Sequence, residues 1–164
     1  LDKGREEKAI ESSDPIAASA TADGGRVYVG SMGSQFLCFD VKLGKMIWQY
    51  EDRPFNYESS PALTRKLVLF GGQDKRLHCL DREDGSVKWV FNTKGQVNSS
   101  PVVCGNRVLV GSNDGKLYMV SLDKGKKVWE FETGDAVTAS PAVAGGKVVI
   151  GSEDGFVYCF GSRK

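Results

Sequence analysis

Histidine is almost missing from this sequence: His78 is the only one in 164 residues. Four cysteines include no Cys-x-x-Cys pair, so the ligand spacing of a zinc site is absent. No apolar run approaches the roughly 20 residues that cross a bilayer, and no charged-then-apolar leader opens the chain. Neither sign of charge dominates. With 22 basic and 21 acidic residues the net charge is +1, which provides no broad field to draw in nucleic acid or an acidic membrane. The sequence opens at Leu1, in mid-pattern, as a processed or excised piece would, so the missing leader says little about compartment.

What the chain has in abundance is repetition. Pro61, Pro101 and Pro141 stand 40 apart within "ESSPAL", "NSSPVV" and "TASPAV", and Ala20 takes the same slot one unit earlier. Gly30, Gly71, Gly111 and Gly151 each follow ten residues later. A glycine then precedes a tryptophan by four: Gly44 and Trp48, Gly85 and Trp89, Gly125 and Trp129. One extra residue, in "EDRPFNYESSP", is the only change of register. Cys38, Cys79 and Cys159 occupy one slot of the repeat and Cys104 lies in a turn. Equivalent slots on successive repeats are too distant for the roughly 4.4–6.8 Å between Cα atoms of a disulfide. All four cysteines are therefore expected to be free, buried and small-apolar in role.

Each unit divides into four short apolar segments, as in 97–103, 107–111, 116–121 and 127–132, parted by Asn, Asp and Gly of tight hairpins. In "KLYMVS", Leu117 and Met119 fall on one face and Tyr118 and Val120 on the other, so the sheet must be covered on both sides. The expected fold is an all-β propeller of four-stranded antiparallel blades, the architecture of a 40–45-residue period. Trp48, Trp89 and Trp129 are expected to dock on neighbouring blades near a glycine that admits the indole.

These residues resemble the pyrroloquinoline-quinone-type propeller repeat, whose glycine-then-tryptophan segment is its tryptophan-docking motif. The resemblance covers the whole chain in four copies and implies rings of seven or eight blades. The family contains quinoprotein dehydrogenases and also non-enzymatic members, among them an outer-membrane assembly propeller lipoprotein. The dehydrogenases use an adjacent cysteine pair, a calcium held by Glu and Asn, and an aspartate base. No two cysteines are adjacent here, and no repeat departs from its siblings by a new cluster of carboxylates. Glu153, Asp114 and Asp154 sit in recurrent hairpin turns without calcium-loop spacing. His78 fills a slot held by Tyr118 and Tyr158, as a core residue would, and Ser19, Ser60, Ser100 and Ser140 recur without a histidine partner. The reading is a non-catalytic scaffold with no cofactor and no metal, located by resemblance in the periplasm or cell envelope. The rivals are a fragment of a quinone-dependent dehydrogenase and a carbohydrate-binding propeller.

"LDKGREEKAIESSD", residues 1–14, aligns without a gap on "LDKGKKVWEFETGD", residues 122–135. Blades therefore fall at 14–54, 55–94, 95–134 and 135–164, the last with three strands, and residues 1–13 supply a fourth strand carrying Lys8 in the tryptophan slot. Closure could occur within one chain, between two chains as an eight-bladed homodimer, or within a longer polypeptide; the larger-ring character of the motifs favours the homodimer. A protein partner is expected at the loop that breaks the repeat, with Arg53, Phe55 and Tyr57. Its face should also carry Gln73, Lys75, Arg76, Asn113, Asp114, Glu153 and Asp154.

Overall fold

Residues 9–161 are described in the computed structural model, and within them every regular element is a β-strand. Blade 1 comprises β1 (Thr21–Asp23), β2 (Arg26–Gly30), β3 (Phe36–Asp40) and β4 (Lys45–Tyr50). Blade 2 comprises β5 (Ala62–Leu63), β6 (Leu67–Gly72), β7 (Arg76–Asp81) and β8 (Val87–Asn92). Blade 3 follows with β9 (Val102–Cys104), β10 (Arg107–Ser112), β11 (Lys116–Ser121) and β12 (Lys127–Glu132). Blade 4 has β13 (Ala142–Ala144), β14 (Lys147–Gly151) and β15 (Val157–Gly161). Each is an antiparallel meander in chain order, so the chain carries four blades, the last three-stranded.

The innermost strands are shorter than the sequence suggests. Residues 97–101 form no ladder, and β9 begins only at Val102. Serine side chains organise that stretch instead. Ser59 and Ser99 hydroxyls accept from the Gly71 and Gly111 amides within their own blades. Around the axis, the Ser60 amide donates to the Ser100 hydroxyl at 2.9 Å and the Ser100 amide to the Ser140 hydroxyl at 3.0 Å. The recurrent serines therefore link one blade to the next.

Blades 2 and 3 are apolar on both faces, and each face is covered by a neighbouring blade. Between blades 1 and 2 lie Tyr28, Phe36, Trp48, Tyr57, Val68 and Phe70, with Phe36 stacked on Phe70 at 3.7 Å between centroids. Between blades 2 and 3 lie Leu69, Leu77, Val97, Val110 and Tyr118; between 3 and 4, Leu109, Leu117, Val137 and Ile150. The connecting loops cross the blade they leave: Tyr57, Val97 and Val137 amides donate to the Ser31, Gly72 and Ser112 carbonyls at 3.0–3.1 Å. Glycine at 30, 71 and 111 is the condition for this crossing, since a Cβ there would collide with the carbonyls of Tyr57, Val97 and Val137.

Tryptophan docking takes the same form twice. Trp48 lies on Gly85 and donates its indole N–H to the Arg82 carbonyl at 3.1 Å; Trp89 lies on Gly125 and donates to the Leu122 carbonyl at 2.8 Å. A register shift between the third and fourth strands recurs beside each tryptophan, at Cys38/Phe39, Cys79/Leu80 and Met119/Val120. Such bulges increase local twist and turn the outer strand towards the next blade. Trp129 is the exception, 36% exposed, with Phe160 edge-on at 5.2 Å.

The cysteines divide in two. Cys38 and Cys79 are free and fully buried, and burial pushes their thiols up to about 11 and about 12. Cys104 and Cys159 are free but exposed, which corrects the expectation that all four are core residues. Cys104 ends a short inner strand, and Cys159 lies on β15, the last strand of a sheet with no fourth member among the described residues.

Gly125 and Gly105 both hold a positive φ, +61° and +56°, but only Gly125 has an indole where a Cβ would go. Gly125→Ala is expected to lose about 1–2 kcal/mol more stability in urea unfolding than Gly105→Ala, which carries the backbone cost alone. Equal losses would show that indole contact does not set the blade spacing.

Candidate partner-binding face

The 51–58 loop runs along the edge of the hairpin turns that follow the second strands. The Tyr57 amide bonds the Ser31 carbonyl of blade 1, and the Asn56 carbonyl accepts from the Gln73 amide of blade 2 at 3.0 Å. The same bond joins Gln96 to Asn113 and Ala136 to Glu153, so the turns of successive blades line one face. Arg53, Lys75 and Glu153 are exposed there, and Phe55 is 42% exposed. Gln73 and Asn113 are half-buried.

Four of the residues expected on this face are engaged within the ring. Tyr57 is fully buried, its ring edge-on to Phe70 at 5.1 Å and to His78 at 5.4 Å, so it is a core residue and cannot anchor a partner. Its OH is pushed up by burial. Asp114 accepts from the Lys94 amide at 2.7 Å and the Tyr118 hydroxyl at 2.8 Å; Asp154 does the same with Gly134 and Tyr158, both at 2.7 Å. These carboxylates pin the inter-blade loop to the third strand. Arg76 is buried in a charge cluster, because it opens β7 rather than standing in the turn.

That cluster is the main constellation missed by sequence reasoning. Asp74 aligns with Asp114 and Asp154, and His78 with the tyrosines those residues hold, which is the signal that could have found it. His78 Nε2 lies 3.1 Å from Asp74 Oδ2, and its Nδ1 lies 3.1 Å from the Tyr50 hydroxyl. A carboxylate can only accept, so Nε2 carries a proton towards Asp74, and Nδ1 shares its hydrogen bond with the Tyr50 hydroxyl. Arg76 reaches Asp74 and Asp52, both at 2.6 Å. Burial pushes the Asp74 carboxyl up, but the His78 N–H and the Arg76 guanidinium outweigh it and hold the group below the usual carboxylate range. Tyr50 is pushed up to about 12, by burial first and by the Asp52 charge second. Blade 1 lacks an aspartate in the equivalent slot, Gly33, and the Asp14 carboxylate fills that space.

Such a cluster joins blades 1 and 2, with His78 and Asp74 both buried and Asp52 exposed at its edge. Because the folded Asp74 pKa is depressed, its contribution to stability is complete above the unfolded value near 3.8 and is lost as pH falls through the folded value. Asp74→Asn is expected to cost about 3 kcal/mol at pH 7, where it takes from the buried Arg76 guanidinium one of its two carboxylate partners and from the His78 N–H its ionised acceptor. The gap from wild type should narrow towards pH 2–3 in urea unfolding; a gap independent of pH would show that the carboxylate charge is not what stabilises this joint.

The family model described as outer membrane protein assembly factor BamB matches residues 54–163. Comparison with curated proteins finds no match. Among solved structures, BamB from Moraxella catarrhalis superposes with a TM-score of 0.79 at 20% identity, covering 90% of this chain and 47% of that one. The computationally designed Ika4 protein gives 0.85 at 17% identity, covering 96% and 98%, and the designed Ika8 protein gives 0.80 at 17% identity, covering 90% and 46%. The chain thus spans about half the length of the BamB and Ika8 chains. With the repeat, the docked tryptophans and this match over two-thirds of its length, the chain belongs to the BamB-like family of pyrroloquinoline-quinone-type propellers.

Proposed function

We propose that this protein is a non-catalytic propeller scaffold of the cell envelope that binds a protein partner through the turn face around Arg53 and Phe55, two copies completing an eight-bladed ring. The observation that carries the partner face is the way its side chains divide. Asp74, Arg76, His78, Asp114 and Asp154 are bonded inside the ring, whereas Arg53, Phe55 and Lys75 remain directed to solvent around one loop. Arginine and aromatic side chains are the residue types that anchor protein interfaces.

Lys75 adds support. It holds a left-handed φ of +66° at a turn position where blades 3 and 4 have Gly115 and Gly155. A side chain there costs about 1 kcal/mol of backbone strain that glycine would avoid. A lysine retained at that cost on an exposed turn fits a surface role. The envelope setting rests on kinship with an outer membrane protein assembly factor. The non-catalytic reading is supported by the seclusion of His78: the carboxylate–histidine pair that could move a proton is sealed between blades, out of a substrate's reach.

Arg53→Glu combined with Phe55→Ala is expected to reduce capture of the partner from detergent-solubilised envelope extract at least tenfold, with an unchanged melting temperature. Arg107→Glu, on an exposed residue at the opposite end of the strands, should leave capture intact. Equal capture by all three proteins would remove this face from consideration.

A further inference from the structure

The net charge of +1 conceals a division between the two ends of the strands. Turns joining first to second strands and third to fourth strands share one face, because in each of the first three blades the outer turn bonds the inner one. The Val41 amide donates to the Gly25 carbonyl at 2.9 Å, Arg82 to Lys66 at 2.9 Å and Leu122 to Asn106 at 3.2 Å. The connections on this face hold six Lys and Arg against three Asp and Glu, and the strand residues flanking them add five basic and three acidic residues. The connections at the opposite end, where the proposed partner face lies, hold three basic residues against eight acidic ones. Charge sorted in this way orients a molecule in a field even though the whole chain is nearly balanced.

Two departures from the repeat fall on the basic face. The inner turn is Gly24-Gly25, Gly105-Asn106 and Gly145-Gly146 in blades 1, 3 and 4, with the leading glycine at a φ of +61°, +56° and +55°. Blade 2 has Arg65-Lys66 in that slot. Thr64 makes the change possible, since its hydroxyl accepts from the Lys66 amide at 3.3 Å and the Leu67 amide at 2.9 Å. A turn built on a side chain in this way needs no left-handed residue, and neither Arg65 nor Lys66 has a positive φ. Both side chains are exposed and form no ion pair among the described residues. The second departure is the outer turn of blade 1. Val41 and Leu43 are 45% and 64% exposed there, in slots that hold Arg82 and Asp84 in blade 2 and Leu122 and Lys124 in blade 3. Exposed Lys42 and Lys45 flank Leu43.

We infer that this face docks on an anionic lipid surface, with Val41 and Leu43 entering the headgroup boundary while Arg65, Lys66, Lys124 and Lys126 lie against lipid phosphates. Each lysine or arginine brought near such a surface strengthens association about fivefold. An apolar side chain among them adds burial that a soluble polyanion does not offer. The same connections contain no aromatic residue on which a base could stack, which favours a bilayer over single-stranded nucleic acid. Docking by this face directs Arg53 and Phe55, at the other end of the strands, away from the bilayer. The assignment depends neither on the partner face nor on the number of copies in the ring, so each can fail without the others.

Co-sedimentation of the full chain with vesicles tests it. Vesicles of phosphatidylcholine containing about one-third phosphatidylglycerol, at about 0.1 M salt, should bind the protein at least tenfold more strongly than vesicles of phosphatidylcholine alone. Arg65→Glu combined with Lys66→Glu should weaken that binding at least tenfold, and Leu43→Asp, which gives blade 1 the residue of blade 2, at least threefold, with melting temperatures unchanged. Lys94→Glu, the same reversal on an exposed residue at the opposite end, should change it less than twofold. A loss from Lys94→Glu as large as that of the double variant would show an unoriented attraction and overturn the face. Equal binding to both kinds of vesicle, or binding to neither, would overturn the lipid assignment. In the second case, retention on immobilised heparin that the double variant loses would assign the face to a soluble polyanion instead.

Discussion

A blade in this protein cannot exist alone, because both faces of its third strand are apolar and a four-stranded sheet is too narrow to cover either. Everything else follows from how one blade covers the next. Phe36 lies flat on Phe70, Trp48 and Trp89 lie on glycine turns, and a loop crosses each of the first three blades closely enough that only glycine fits beneath it. Fully burying side chains of this size contributes about 1.5–3 kcal/mol each, whereas a single ordered serine bond between blades contributes about 1 kcal/mol. Stacking therefore holds the arc together, and the serines around the axis fix its register.

Much of this was legible in the sequence because it is periodic. The slots of Gly30, Gly71 and Gly111, the tryptophans and the hairpin turns recur at a spacing that leaves few architectures open. What did not show was context. Tyr57 belongs to a loop that breaks the repeat, and its composition suggests an exposed anchor, but its slot in the repeat is that of Val97 and Val137 and it is buried like them. Arg76 reads as part of a turn, yet it is drawn inward by Asp74 and Asp52. Cys159 shares a slot with buried cysteines and is exposed, because its sheet has three strands among the described residues.

The blade 1–2 joint differs chemically from the others. Where blades 3 and 4 use a tyrosine hydroxyl on an aspartate, this joint uses His78 on Asp74 and adds Arg76, Asp52 and Tyr50. A buried charge cluster is specific about geometry, since every donor must find its acceptor in a medium of low dielectric. The exposed Arg53 and Phe55 project from the loop that seals this joint. The interface that holds the buried charge cluster thus also carries the loop of the proposed partner face.

Among the described residues the first and last blades share no strand pairing. The central claim is that a second copy finishes the ring. Light scattering coupled to size exclusion at low micromolar concentration tests it most directly. A mass of two chains, about 36 kDa from a chain of 17.8 kDa, is predicted; a mass of one chain would contradict it.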